Sequence, residues 1–249
     1  MKARLAAGET LFGTFLTLGS PFAAESLGLL GWDWLLVDLE HGGGDESLLL
    51  GQLMACSAAG THALVRVESD VRGRTARALD LGVEGVMCPQ INSRAQAEQW
   101  ASVLHYGPRG TRGIALFHRG ARYGTDPDAI EHARERTLGV AQIESPEAVE
   151  AVEEIAAVPG IDVLFVGPSD LSYSMGMFRD FENPRFRDAI QRVNEAARSA
   201  GKATGIFVTS TDQVAAAVAD GFRMIALGSD GGFMMAAARQ ALDQLVRAR

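Results

Sequence analysis

Four stretches of this 249-residue chain set ionisable side chains directly behind apolar runs. VDLEHGG, at 37–43, holds Asp38, Glu40 and His41; Arg66 ends an apolar run; Gln142 and Glu144 close GVAQIE; Ser169 and Asp170 follow DVLFVGP. Carboxylates that end adjacent strands repel one another, and one of them titrates high unless a cation joins them. Hard Mg2+ or Mn2+ accepts oxygen ligands, keeps several waters and needs only one or two protein carboxylates. Glu144 and Asp170 are therefore candidate metal ligands. The plainer alternative is that Glu144 caps the helix starting at 146 and Asp170 the loop after Pro168. Arg66 offers a planar fork for a substrate carboxylate or, alternatively, for a structural ion pair with a strand-end acid. His41 is the natural proton carrier near neutral pH, whereas His62, His105, His118 and His132 read as structural, His118 least firmly because it lies in a long loop.

The residues the chain lacks narrow the chemistry further. Lys2 and Lys202 are its only lysines, one near the N-terminus and one ahead of a strand, so a Schiff-base mechanism has no residue to use. Carbonyl chemistry would have to draw on a metal as electron sink. Gly228-Ser229-Asp230-Gly231-Gly232 has the look of a phosphate-binding turn, but the charge of Asp230 favours helix capping. Cys56 and Cys88 are too few for a disulfide framework or a cysteine-ligated zinc, which suits a reducing compartment. The net charge of −8 argues against nucleic acid as a partner. Gly8-Glu9-Thr10 interrupts the first apolar stretch before a signal peptide can form, and no run is long enough to span a membrane, so a cytoplasmic protein is expected.

These residues need a scaffold that brings distant segments to one place. Eight apolar runs, at 12–18, 33–39, 62–67, 85–90, 139–144, 162–168, 204–209 and 223–228, read as strands. Helical periodicity fills the intervals, at about 21–30, 45–59, 72–81, 93–104, 145–157, 184–200, 211–219 and 232–247. Nearly all-apolar strands separated by helices imply a parallel sheet covered by its crossovers. Eight such units over residues 1–249 favour a single-domain (β/α)8 TIM barrel over an open sheet, with the chemistry at the C-terminal strand ends. Ser93, Ser145 and Thr211 stand where N-caps belong, and Gly31, Gly60, Gly82, Gly160, Gly201 and Gly221 where left-handed C-caps belong. The segment 105–138 breaks the rhythm and reads as an active-site loop or lid.

The strings GTFLTLGSP (13–21), GWDWLLVDLEHG (31–42), LVRVES (64–69), ALDLGVEGVMCPQ (78–90), RGTRGIA (109–115), VAQIES (140–145), DVLFVGPSDLSYSMG (162–176) and AGKATGIF (200–207) resemble the HpcH/HpaI aldolase family, class II metal-dependent pyruvate aldolases. The resemblance runs nearly end to end. It implies a divalent cation (Mg2+, Mn2+ or Co2+) on Glu144 and Asp170, and Arg66 on the substrate carboxylate. It also implies His41 as proton shuttle paired with Asp80, and Asp38 beside the metal's water shell. Gln142 and the backbone amides of Ser169 and Asp170 would line the pyruvate pocket. A small oxo acid and an aldehyde would be its partners, and the assembly a hexamer in which the last helix packs on a neighbouring subunit. Phe15, Val67 and Phe207 depart from residues frequent in relatives, which leaves the aldehyde open. A CoA-ester carbon–carbon lyase, which would need a basic surface, and a non-catalytic oxo-acid-binding barrel are the competing readings.

Overall fold

Apolar runs too short to make stable helices form the strands: β1 (Leu11–Leu16), β2 (Trp34–Asp38), β3 (His62–Arg66), β4 (Gly85–Cys88), β5 (Leu138–Ile143), β6 (Val163–Val166), β7 (Ala203–Val208) and β8 (Met224–Ser229). In the computed structural model, which describes residues 1–248, they pair in parallel, each with the next and β8 with β1, to close a barrel. Five helices lie in the first half: α1 (Lys2–Ala6), α2 (Pro21–Gly28), α3 (Glu46–Ala59), α4 (Arg72–Asp80) and α5 (Arg94–Leu104). The second half carries α6 (Ala129–Arg136), α7 (Pro146–Glu150), α8 (Val152–Ala156), α9 (Pro168–Ser174), α10 (Pro184–Ser199), α11 (Thr211–Ala219) and α12 (Asp230–Arg247).

The parallel strands bury both faces, so the core has two parts. Leu11, Phe15, Trp34, Leu36, Leu64, Met87, Val140 and Phe165 fill the barrel, and Leu5 of α1 packs among them. Large side chains there sit against glycine on the next strand: a Cβ at Gly13 would strike the Trp34 ring, and one at Gly205 the Phe165 ring. Leu35, Val37, Val65, Leu164 and Ile225 face outward under the helices.

The expected boundary signals hold at Ser93 and Ser145, whose hydroxyls accept from the amides of Gln96 and Ala148. At α11 the cap is Ser210, reinforced reciprocally by Gln213, where Thr211 was expected. The helix expected over 145–157 bends at Ala151 into α7 and α8.

The 105–138 segment is not a lid on the strand ends. It joins α5 to β5 and so begins and ends on the face where strands start. It lies along α4: Arg72 at the helix start donates to the Thr111 carbonyl, and Arg112 binds Asp80 at its end. The last helix, α12, buries only Asp230 and leaves Met234, Met235, Leu242, Leu245 and Val246 exposed. Among the described residues no helix is long and apolar enough to cross a membrane.

Candidate active site

Asp38 and Arg66 are the last residues of adjacent strands and sit side by side in register. That register produces a buried two-pronged ion pair, Arg66 Nε to Asp38 Oδ1 at 2.9 Å and Nη2 to Oδ2 at 2.7 Å. Asp38 Oδ1 also accepts the amides of Glu40 and His41, at 3.1 and 3.3 Å, which turns the chain as it leaves the strand. Gly42 permits this turn, because a Cβ there would strike the Asp38 carbonyl oxygen. Glu40 Oε2 lies 3.0 Å from Arg66 Nη1 and 3.8 Å from His41 Nε2. Burial pushes the Glu40 carboxyl above its usual range, opposed by Arg66 and His41. The His41 side chain is 67% exposed, on the open rim. Beneath the guanidinium, the Phe15 ring lies 5.2 Å from Arg66 Cζ, and Phe207 on β7 packs edge-on to Phe15 at 5.1 Å.

On the opposite side, Gln142 and Glu144 are two residues apart along β5 and its end, so they share a face. Gln142 Nε2 donates to Glu144 Oε2, and the Gln90 amide donates to Oε1 at 2.9 Å. Gln90 reaches this position in a left-handed conformation, φ 53°, which costs a non-glycine residue conformational energy. Burial pushes the Glu144 carboxyl up to about 7; Asp170 and Glu40 raise it further, while the Gln90 amide and Arg66 oppose the rise. Asp170 lies in the first turn of α9, is exposed, and its carboxylate makes no hydrogen bond among the described residues. Gly167, which precedes α9, has no side chain to cap the helix, and a Cβ there would come within 2.6 Å of Glu144 Oε2 and 2.9 Å of Gln142 Nε2.

Three carboxylates, of Asp38, Glu40 and Glu144, thus act on one guanidinium, and that of Asp170 adds its charge to Glu40 and Glu144. Asp38 is matched by Arg66, and the remaining acids share what positive charge is left. A divalent cation fits this donor set. Glu144 is desolvated and faces a like charge, Gln142 Oε1 is a buried acceptor without a partner, and the gap at Gly167 admits no side chain. Among the described residues no cluster of three or more acids, histidines or cysteines could hold a metal. Two carboxylates with several open positions is the arrangement Mg2+ accepts.

One expected pairing is not made within the chain. Asp80 does not meet His41 within the chain, because α4 runs back along the barrel and carries its last residue toward the strand starts. There Asp80 binds Arg112 at 2.8 Å and stands 3.5 Å from His118 Nε2. His41 has Glu40 for a neighbour instead. Asp38 has both carboxylate oxygens on Arg66. Other expectations agree with the geometry. Lys2 binds Asp162 and the Thr137 carbonyl, Lys202 the Val158 carbonyl, all at the strand starts. Ser229 caps α12 by accepting from the Gly232 amide, and Asp230 ties down the Thr17 amide and hydroxyl and the Leu18 amide. Sequence reasoning left Glu40 unassigned and missed the Gln90 amide and Gly167. For Glu40 the signal was present in the two-residue spacing from Asp38; for the other two only the fold brings the contact about.

The family model for HpcH/HpaI aldolase/citrate lyase matches residues 11–237. The chain is 39% identical over 251 residues to the hydroxypyruvate/pyruvate aldolase of Paraburkholderia phytofirmans, covering 98% of this chain and 96% of the relative. It is 35% identical over 242 residues to the 5-keto-4-deoxy-D-glucarate aldolase of Klebsiella pneumoniae subsp. pneumoniae, covering 97% and 94%. The crystal structure of an HpcH/HpaI aldolase/citrate lyase family protein from Burkholderia cenocepacia J2315 superposes with a TM-score of 0.93 at 37% identity, covering 98% of both chains. With a matching family model over nearly the whole barrel and relatives this similar from end to end, the chain belongs to the HpcH/HpaI aldolase/citrate lyase family.

Proposed function

We propose that the protein is a divalent-metal-dependent aldolase that reversibly cleaves 4-hydroxy-2-oxo acids to pyruvate, or hydroxypyruvate, and an aldehyde. The observation that carries this reading is the single guanidinium of Arg66 facing Glu40, Glu144 and Asp170 across the strand ends, with both lysines at the other end. The similarity to relatives named as hydroxypyruvate/pyruvate and 5-keto-4-deoxy-D-glucarate aldolases supports the substrate class. Glu144 and Asp170 would hold the cation, which supplies a Lewis acid for the substrate's oxo group.

The protein's own residues account for the rest. Arg66, rigidly held by Asp38, turns Nη1 toward Glu40 at 3.0 Å and shares this nitrogen with the 2-oxo oxygen, on which negative charge grows as the bond breaks. Gln142 and the amides at Ser169 and Asp170 bind the substrate carboxylate. His41 takes the proton of the C4 hydroxyl; the C3–C4 bond then breaks, its electron pair enters the pyruvate enolate, and the aldehyde leaves. Return of that proton from His41 to C3 of the enolate, directly or through water, gives pyruvate and restores the neutral imidazole. Glu40 steadies the imidazole from 3.8 Å. Phe15 and Phe207 wall the pocket on the aldehyde side. The uncovered apolar residues of α12, Met234 to Val246, are the surface on which a second copy would pack, in keeping with a hexamer.

The test is release of pyruvate from a panel of 4-hydroxy-2-oxo acids. Activity should vanish on complete chelation with EDTA and return with Mg2+, Mn2+ or Co2+. Cleavage that survives complete chelation would overturn the metal assignment, and a panel with no cleaved member would overturn the substrate class.

A further inference from the structure

A cavity of about 440 Å3 opens away from the strand ends, between α4 and the 105–138 segment with its helix α6. Its volume lies within the ~300–1,000 Å3 of small-molecule sites. Arg112, Arg119, Arg122 and Arg136 line it. Two carboxylates also line it, but each already has a histidine: Glu84 lies 2.6 Å from His62 Nδ1 and Asp126 2.8 Å from His132 Nδ1.

Three of the four arginines have no carboxylate partner among the described residues. Arg112 is only 6% exposed, pairs through Nη2 with Asp80, and leaves its buried Nε without a partner. Arg119 spends its guanidinium on the carbonyls of Leu81, at 3.1 Å, and Leu53, at 3.5 Å, and on no carboxylate. Arg122 and Arg136 make no side-chain hydrogen bond or ion pair among the described residues. Arg122 and Tyr123 are moreover held in succession at φ 49° and 54°, a conformation side chains seldom adopt and one that sets this turn at the cavity wall.

Guanidiniums that outnumber the carboxylates around one cavity can form an anion site, and their planar forks match the oxygens of phosphate. Three arginines with no carboxylate partner exceed the single charge of a monocarboxylate. We propose that this cavity binds the phosphate group of a small molecule. Arg122 and Arg136 supply the charge, Arg112 Nε a buried donor, and Arg119 fixes the wall against α3 and α4. Such a ligand would draw together the segment that carries Arg112, Arg119 and Arg122 and the helix that ends at Arg136.

The experiment is a thermal-unfolding titration of the full-length protein with inorganic phosphate at constant ionic strength and pH, alongside Arg122→Gln/Arg136→Gln and Arg66→Gln. Phosphate at ten times its Kd should raise Tm by about 4 °C in the wild type. The rise should persist in Arg66→Gln and fall by at least half in the double variant, whose aldolase activity should match the wild type. Broadening of the phosphate 31P resonance by wild type but not by Arg136→Gln gives the same answer without requiring the double variant to fold. No rise beyond that of sodium chloride, a rise undiminished in the double variant, or one abolished by Arg66→Gln would overturn the site.

Discussion

The two ends of this barrel handle charge in opposite ways. At the strand ends, acids outnumber bases: Arg66 is divided between Asp38 and Glu40, and Glu144 is left desolvated beside Asp170 with its carboxyl pushed up to about 7. At the strand starts, cations lean on carbonyls: Lys202 on Val158, Lys2 on Thr137 as well as Asp162, Arg119 on Leu81 and Leu53. The carbonyl-bound cations close the bottom of the barrel and pin its outer segment, and their replacement costs little chemistry. The acids at the strand ends thus carry more negative charge than Arg66 balances, and this is the end to which the proposed cation and substrate are assigned.

Breaking the one strong pair at the reactive end should have the largest effect. Arg66→Ala is expected to lower kcat/KM for pyruvate release by at least ~10³. Because Asp38, 2% exposed, loses its partner, the same variant should unfold with ~3–5 kcal/mol less stability in urea. Arg66→Lys, which keeps the charge but not the fork, should recover part of the stability and little of the rate. His41→Ala should slow cleavage by ~10² while metal-dependent exchange of the pyruvate methyl protons, followed by NMR, falls less. Normal cleavage in that variant would remove His41 from the reaction.

Smaller changes sharpen the contrast. Gly167→Ala places a methyl where Glu144 and Gln142 meet. It should reduce kcat/KM by ~10-fold, since small misplacements of a positioned group are costly, with a raised requirement for added Mg2+ as the diagnostic readout. The smallest effect is expected at the opposite end. Burial pushes the Lys202 amine from its ordinary 10.5 down to about 8. Between those values the unfolded chain holds a proton that the folded one has released, so stability rises with pH across that window and the penalty is fully present below it. Lys202→Met should remove that rise and, at pH 7, gain on the order of 1 kcal/mol, a screened fraction of the full shift, with aldolase activity unchanged.

Much of this contrast is legible in the amino-acid order. Arg66, Gln142, Glu144, Ser169 and Asp170 end apolar runs, and the rule that barrels react at C-terminal strand ends collects them at one face. Lysine scarcity likewise removes amine chemistry before any coordinate is known. Asp80 shows where such reading stops. Its distance from His41 depends on the direction of α4, and a motif carries no direction in space. Segment 105–138 is a related case: its length marks it as unusual, but only its attachment between α5 and β5 shows that it begins and ends on the face where strands start.

The chain by itself determined the eightfold alternation, the helix boundaries at Ser93, Ser145, Gly60, Gly82, Gly201 and Gly221, and the set of strand-end side chains. Each of these follows from local periodicity or from the conformational preference of one residue. Tertiary structure alone decided that Asp38 rather than Glu144 takes the fork of Arg66. That outcome rests on the register of β2 against β3, a one-residue shift of which would turn the two side chains to different faces. It also decided that the Gln90 amide reaches Glu144 across 54 residues of sequence, and that Asp170 stands close enough to raise Glu144's carboxyl. Pairing energies of this kind depend on distances across strands, and those are set by closure of the whole barrel.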